Sequence, residues 1–219
     1  NSGNITGIAP NVNILVIKAE CAPDGSFYRT SDLVFGLYYA IERDVQVVNM
    51  SFGTYDPNNP FAEATQLAYD SDIICVAAAG NDGTAALSYP AADPNVIGVG
   101  ALAEDSWSLA SYSNYGDNSD IVAPGTVYTS LKNGTYGTMN GTSFSSPVTA
   151  AAIALFMQNN MYVTFDDVTE VLFASSYDLG ALGNDWDYGF GALDVYSFVC
   201  GQRGTVTYDM LTDELENEE

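Results

Sequence analysis

No histidine occurs among the 219 residues, so the side chain that most often relays a catalytic proton or binds zinc is absent. Basic residues are nearly as scarce. Five Lys and Arg stand against 28 Asp and Glu, a formal charge of −23, which argues against phosphate backbones and anionic lipid as partners. Cys21, Cys75 and Cys200 are odd in number and share no metal-ligand spacing, which argues against a disulfide framework. Cys75 lies in the run Ile73-Ile74-Cys75-Val76, where a small buried hydrophobe fits. The longest apolar stretch, Val148 to Met157, is shorter than the roughly 20 residues that cross a bilayer, so no membrane span is expected.

What is present is a globular composition, 47% apolar and 15% charged, in a length that suits one α/β domain. Short β-branched runs alternate with helical patterns, the signature of parallel strands joined by crossover helices. Strands are predicted at Asn13 to Ala19, Val45 to Phe52, Ile73 to Ala79, Val96 to Leu102 and Ile121 to Ala123. Leu33, Val34, Leu37, Tyr38 and Ile41 repeat at helical spacing behind a polar start at Ser31 and Asp32, and a second helix is predicted from Phe61 to Tyr69. Phe144 to Met157 is apolar nearly all round, with Phe144, Val148, Ala151 and Leu155 on one stripe, and so reads as a buried helix. Thr164 with Asp167 is a capping-box pattern that opens another helix, with Val168, Val171 and Leu172 on its inner face. The last stretch carries Asp209, Asp213, Glu214, Glu216, Glu218 and Glu219 and reads as a solvated arm. The opening Asn1-Ser2-Gly3-Asn4 has no initiator methionine or signal-like segment, which fits a fragment or a processed product.

Two segments could carry chemistry. Ser143 stands two residues after Gly141 at the threshold of the buried helix, where unpaired N–H groups and the helix dipole favour an oxyanion. An isolated serine before a helix is ordinarily an N-cap, so Thr142 or Ser143 could serve only that purpose. The second segment is Ala77-Ala78-Ala79-Gly80-Asn81-Asp82-Gly83, where a buried strand ends at the carboxyl edge of a parallel sheet, the edge at which ligands bind in open α/β sheets. Asn81 could donate its amide N–H to a developing oxyanion, although Asn-Asp-Gly by itself is usually a turn.

Together these segments resemble the subtilisin-like serine protease family. The nucleophile motif stands as Gly141-Thr142-Ser143 with Ser146-Pro147, and the oxyanion motif as Ala78-Ala79-Gly80-Asn81. Gly7-Ile8-Ala9-Pro10, Val48-Asn49-Met50-Ser51-Phe52-Gly53, Tyr89-Pro90-Ala91, Val122-Ala123-Pro124-Gly125 and Tyr188-Gly189-Phe190-Gly191 follow in the family's order. The resemblance covers residues 1–199 as a partial peptidase domain and leaves 200–219 as an acidic tail. It implies a three-layer α/β fold, a mostly parallel sheet between helices, incomplete at the N-terminus. It also implies that Ser143 attacks the scissile carbonyl while its own N–H and Asn81 hold the oxyanion. Ser51, Phe52 and Gly53 would pair with the substrate backbone as an added strand. Phe52, Ala78, Ala79 and Gly80 would wall the pocket for the residue before the cut, with Ser88 near its floor. Such a pocket suits hydrophobic side chains, and Asp82 is either a rim residue that tolerates a cation or a solvated turn residue.

The family's catalytic aspartate and histidine lie upstream of Gly7-Ile8-Ala9-Pro10, and neither segment is in the sequence. The expectation is therefore a serine endopeptidase present as a piece that is inactive alone and needs the N-terminal segment of the same domain as partner. A second reading is a non-catalytic or complementing chain that binds peptides or a partner protease. Val148 replaces a common non-catalytic histidine of the family, and the loop from Asp82 to Tyr89 is short, which bears on the pocket floor. No cofactor is required for the chemistry and no metal ligand is assigned. Structural calcium is the one ion the resemblance implies, at Asn1 to Ile5 or at Ala91, Asp93 and Val96, where an ordinary surface loop is the competing reading. The resemblance also suggests a secreted or cell-surface setting. Asn-X-Ser/Thr matches at Asn4, Asn49, Asn133 and Asn140 are assigned no glycan, since two would block the cleft. Gly98-Val99-Gly100 lacks the rest of a dinucleotide fingerprint, and Gly141-Thr142-Ser143-Phe144-Ser145 lacks the last glycine of a lipase elbow.

Overall fold

The computed structural model describes residues 5–19, 29–104 and 106–201. Helix α1 (Thr30–Glu42) leads into strand β1 (Val47–Met50), and helix α2 (Ala62–Asp70) into β2 (Ile74–Ala78). Strands β3 (Ile97–Leu102) and β4 (Ile121–Pro124) complete a four-stranded parallel sheet in the order β1-β2-β3-β4. Its register pairs Val47 with Ile74, Val76 with Ile97 and Val99 with Ile121. A two-stranded antiparallel hairpin, β5 (Thr126–Ser130) and β6 (Tyr136–Asn140), then delivers the chain to α3 (Thr142–Asn159). Helices α4 (Phe165–Ser175) and α5 (Val195–Cys200) follow.

Alternation along the strands divides the core between two faces. Ile74 and Val76 point to one side with Ile97, Val99 and Ile121, where Ala152, Ile153 and Phe156 of α3, Val168 and Leu172 of α4 and Phe198 of α5 cover them. Cys75 and Ala77 point to the other side with Met50, against Leu37 of α1 and Ala64 and Ala68 of α2. The result is the three-layer α/β arrangement expected from the sequence, with fully buried central strands. Buried Cys75 behaves as the small hydrophobe its neighbours suggest, its thiol pushed up to about 12 by burial.

Four expectations change. The strand predicted at 13–19 joins no ladder among the described residues. Ile14 and Val16 are 80% and 81% exposed, so the apolar run has no sheet to complete. The hairpin and α5 have no counterpart among the predicted elements. Helix α3 begins at Thr142, two residues early, and Gly141 at φ 145° and ψ 156° is its cap, so Ser143 lies inside the first turn and is not an N-cap. The buried stripe of α3 is Ser145, Thr149, Ala152, Ile153 and Phe156, whereas Phe144, Val148, Ala151 and Leu155 are only half-buried. Small side chains let the helix lie close on four strands, which size rather than hydrophobicity decides. The capping box forms as expected, with Thr164 Oγ1 accepting from Asp167 N–H and the Asp167 carboxylate accepting from Thr164 N–H. Among the described residues no helix is long and apolar enough to cross a membrane. The acidic arm from residue 202 and the first four residues of the Asn1 to Ile5 loop lie outside the described residues.

Candidate active site

Three segments meet at the carboxyl ends of the parallel strands: 51–55 after β1, 79–83 after β2, and the start of α3. Pro147 explains how α3 is tied down. It has no N–H to offer the carbonyl four residues earlier, which is that of Ser143. Ser51 Oγ takes that place, donating to the Ser143 carbonyl at 2.9 Å. Asn49 Nδ2 donates to Ser51 Oγ at 3.0 Å, and Ser146 Oγ donates to Asn49 Oδ1 at 2.7 Å, so a polar chain locks the first turns of α3 to the end of β1. The Asn49 amide is thereby occupied at both ends. Behind the turn, buried Ser145 donates to the carbonyls of Ala123 and Pro124, each at 3.2 Å.

Asn81 is oriented by Thr142. Its Oδ1 accepts from Thr142 N–H at 2.9 Å and from Thr142 Oγ1 at 3.1 Å. With Oδ1 committed to Thr142, Nδ2 is the donor end of the side chain, an assignment fixed by the hydrogen-bond network. Thr142 Oγ1 also accepts from Gly80 N–H at 3.1 Å, which clamps the β2 loop onto α3. Ser143 N–H lies in the first turn, where helical N–H groups have no helical acceptor. Ser143 Oγ makes one long hydrogen bond, 3.5 Å to the Ser51 carbonyl. One half-buried hydroxyl, one amide donor and one helix-start N–H therefore share a single edge of the sheet, an arrangement suited to acyl chemistry.

Glycines and backbone bring the segments after β1 and β2 close to their neighbours. A Cβ on Gly53 would stand 2.6 Å from the hydroxyl of buried Ser88, and residues Thr54 and Tyr89 bridge antiparallel, each N–H donating to the other's carbonyl at 2.8 Å. Ser88 thus sits directly behind Gly53. Ala78 and Ala79 are buried, Phe52 packs tilted on Phe61 with centroids 5.7 Å apart, and Gly80 takes φ +115°, where a Cβ would collide with the Asn114 amide. The sequence-predicted residues Ser143, Asn81, Ser51, Phe52, Gly53, Ala78, Ala79 and Gly80 all lie at the carboxyl ends of β1 and β2 or in the first turn of α3.

Other residues with roles here were not marked by the sequence. Buried Asn114 donates to the Ala79 carbonyl and to Tyr55 Oη, each at 3.0 Å, and accepts from Asp82 N–H at 3.0 Å. Tyr55 Oη donates to the Asp82 carboxylate. Asp82 is exposed in the turn after Asn81 and is tied to Tyr55 through one carboxylate oxygen. Asn49, Ser146 and Pro147 lie inside motifs already singled out, and the proline four residues after Ser143 is the one local signal that a carbonyl would need an outside donor.

At the amino ends of the strands, two cavities of about 190 and 370 Å³ share Asp117 and Asp120. The smaller is lined by Ala91, Asp93 and Val96, the residues considered for a cation. Asp93 has both carboxylate oxygens engaged, by Asn59 Nδ2 at 2.6 Å, Thr65 Oγ1 at 3.0 Å and Asn95 N–H at 2.9 Å, and it acts as a loop organiser. Among the described residues no three Asp, Glu, Cys or His side chains converge as a metal would require.

The chain matches the Subtilase family over residues 1–191. It is 34% identical to Subtilisin DY of Bacillus licheniformis across 89% of this chain and 71% of that protein. It is 37% identical to the Minor extracellular protease Epr of Bacillus subtilis (strain 168), and 34% identical to Subtilisin E of the same organism. The chain spans only 30% of the length of Epr and 51% of Subtilisin E. Among solved structures, a lanthipeptide protease superposes with a TM-score of 0.79 at 22% identity, over 89% of this chain and 72% of that one, a likeness of fold. The prenylagaramide maturation protease PagA gives 0.69 at 26% identity, over 79% of this chain and 67% of that one. With the family match running over residues 1–191 and the Ala78 to Asn81 and Gly141 to Ser143 segments both inside it, the chain belongs to the subtilase family.

Proposed function

We propose that this chain carries the acyl-binding half of a subtilisin-like serine endopeptidase, with Ser143 as nucleophile. The observation that carries the reading is the clamp between Thr142 and Asn81, which commits the asparagine's oxygen to the residue before Ser143 and leaves its amide N–H as the donor end. In this reading Ser143 Oγ attacks the scissile carbonyl carbon and its proton passes to a general base. Ser143 N–H and Asn81 Nδ2 hold the resulting oxyanion. Collapse expels the amine, which takes up the base's proton, and water then hydrolyses the acyl-enzyme. Ser51, Phe52 and Gly53 follow β1 directly, and in this reading their backbone pairs with a peptide as an added strand.

The base is the part these 219 residues cannot supply, because they contain no histidine. The resemblance assigns it to an aspartate-bearing strand and a histidine-bearing helix that in the family precede the Gly7-Ile8-Ala9-Pro10 motif. Without a base, the oxyanion hole and binding leave an acceleration of only about 10³ to 10⁴ over water. The chain alone is therefore expected to be inactive.

The test is a fluorophosphonate probe applied to the chain alone and to the protein expressed with the segment encoded upstream of Asn1. Labelling should require that segment, map to Ser143 and vanish in Ser143→Ala. Labelling that survives Ser143→Ala overturns the assignment. Absent labelling with retained peptide binding makes this a binding chain.

Calcium, if used, is structural in this reading. Oxygen donors around the smaller cavity suit a hard cation, but with Asp93 already committed, backbone carbonyls would have to contribute most of the ligands. Millimolar calcium should then raise the melting temperature without altering probe labelling, and an unchanged melting curve removes the ion from the account.

A further inference from the structure

Residues 79–88, the loop that carries Asn81, form no helix or strand, so their backbone groups must find partners elsewhere. The segment after β3 supplies them. Gly83 N–H donates to the Tyr112 carbonyl at 2.8 Å, Asn114 N–H to the Gly80 carbonyl at 3.0 Å and Tyr115 N–H to the Thr84 carbonyl at 3.3 Å. Asn114, fully buried, adds four bonds from its side chain. Nδ2 donates to the Ala79 carbonyl and to Tyr55 Oη, each at 3.0 Å, and Oδ1 accepts from Asp82 N–H at 3.0 Å and from Thr84 N–H at 3.3 Å. A side-chain amide has two protons and two acceptor sites, and here all are used. Asn114 is itself tied to β3, because Ser113 Oγ accepts from Ala101 N–H and donates to the Asn114 carbonyl, each at 2.9 Å. A second buried asparagine, Asn118, holds the far half of the same loop, accepting from Ser88 N–H at 2.7 Å and donating to the Ala86 carbonyl at 3.1 Å.

We propose that Asn114 is a positioning residue for the oxyanion asparagine: by fixing the backbone on both sides of Asn81, it holds the Asn81 amide where charge develops on the scissile carbonyl. The inference rests on the reading of Ser143 and Asn81 as the acyl site. Thr142 grips Asn81 only at Oδ1, the tip of the side chain. Asn114 grips the other end of the lever, the main chain at Ala79, Gly80, Asp82 and Thr84. That chain needs an outside support, since Gly80 at φ +115° has no Cβ to stiffen it, and the Asn114 amide fills the space a Cβ would take. An oxyanion donor is effective only when it is in place before the charge appears, and a buried amide with every bond made is a rigid support for it. Alanine at position 114 would leave one carbonyl and two N–H groups of the loop without this partner, freeing the donor end of Asn81 to wander while its own chemistry is intact.

The test is a double-mutant cycle in the protein with its upstream segment. Losing an oxyanion donor outright costs about 10² to 10³ in kcat, which is the ceiling for misplacing one. Asn114→Ala should cost about tenfold or more in kcat with KM little changed, and almost nothing further in an Asn81→Ala background. Asn118→Ala, an equally buried loss on the same loop, should lower the melting temperature without that dependence on Asn81. Where Asn114→Ala melts below the assay temperature, Asn114→Ser, which keeps a hydroxyl at the site, is read in the same way. A kcat loss as large without Asn81 as with it overturns the proposal, and so does an Asn81-dependent loss that Asn118→Ala reproduces. A second readout needs no turnover: the Asn81 side-chain amide signal in the NMR spectrum of isotope-labelled Ser143→Ala protein should shift or broaden in Asn114→Ala and not in Asn118→Ala. If that signal responds while the wild type neither cleaves nor takes up the fluorophosphonate, the protease reading falls and the positioning stands. Cleavage and Ser143 labelling with an additive kcat loss and an unmoved signal do the reverse, and an inactive wild type with an unmoved signal removes both.

Discussion

At the residue scale, the proposed function gives the two ends of the Asn81 side chain separate duties that substitution can separate. Asn81→Asp keeps an oxygen to accept from Thr142 and loses the donor, so kcat should fall by about 10² to 10³, as for the corresponding donor of a subtilisin, with KM little changed. A loss confined to KM would assign the amide to substrate binding. Asp120 offers a second test far from this site. Its carboxyl lies inside the cavity wall, accepts from Gly98 N–H at 2.7 Å, and is pushed by burial from 3.8 up to about 6, although part of the residue reaches solvent. A raised folded-state pKa means that the native chain holds the proton more tightly. The associated stability is fully present below 3.8 and is lost as pH rises through about 6. In EDTA, Asp120→Asn should remove about 1 to 2 kcal/mol of this decline, a value discounted for solvent at the cavity and read from urea unfolding between those pH values. A wild-type curve that is flat across the window contradicts it. Ser143 and Asn81 were legible in the sequence because each sits in a short contiguous motif. Tyr55 and Asn114 were not, since their partnership spans 59 positions and exists only once the segments after β1 and β3 have folded over one another.

At the scale of elements, the sequence was most readable where one pattern sufficed. The central strands are continuous apolar runs, the mark of a parallel sheet covered on both faces, and Thr164 with Asp167 declared the start of α4. Thr164→Ala should lower stability by about 1 kcal/mol, and Leu172→Ala, which empties a fully buried site, by about 2 to 5 kcal/mol, both by denaturant unfolding. The cap acts on α4 alone, so Thr164→Ala should leave the Ser143 probe rate of the complete protein unchanged. A slowed rate would mean that α4 transmits to the nucleophile turn. The hairpin has a local signal of its own: Thr126 to Ser130 is β-prone, and Asn133-Gly134 is a turn pair ahead of a second short run. The segment 13–19 shows the opposite error. Its composition is that of a strand, but composition states only that a strand would be stable if neighbours paired with it, and none among the described residues does.

For the whole molecule, those unpaired surfaces set the physical behaviour of the isolated chain. β1 is an edge of the sheet among the described residues, and Ile14 and Val16 are 80% and 81% exposed, with Leu15 at 43% on the other side of the run. Ile17 touches α1, where its methyl is 3.2 Å from the Cβ position of Gly36, so the segment is docked at one side and bare at the other. An open edge beside bare apolar side chains is a template for another strand. The charge of −23 opposes association at low salt, and screening removes that opposition. The isolated chain should therefore self-associate increasingly as salt is raised, measured by light scattering, and supplying the upstream segment in trans should both suppress the association and restore Ser143 labelling. Lys at positions 14 and 16 distinguishes a specific surface from general stickiness. Ile14→Lys with Val16→Lys should reduce self-association and also block rescue by the upstream segment, because the same bare surface serves both. A double variant that stays monomeric yet is rescued as well as the wild type would detach the apolar run from the other half of the site, and a wild-type chain that is monomeric at high salt and melts cooperatively would show the edge to be satisfied without it.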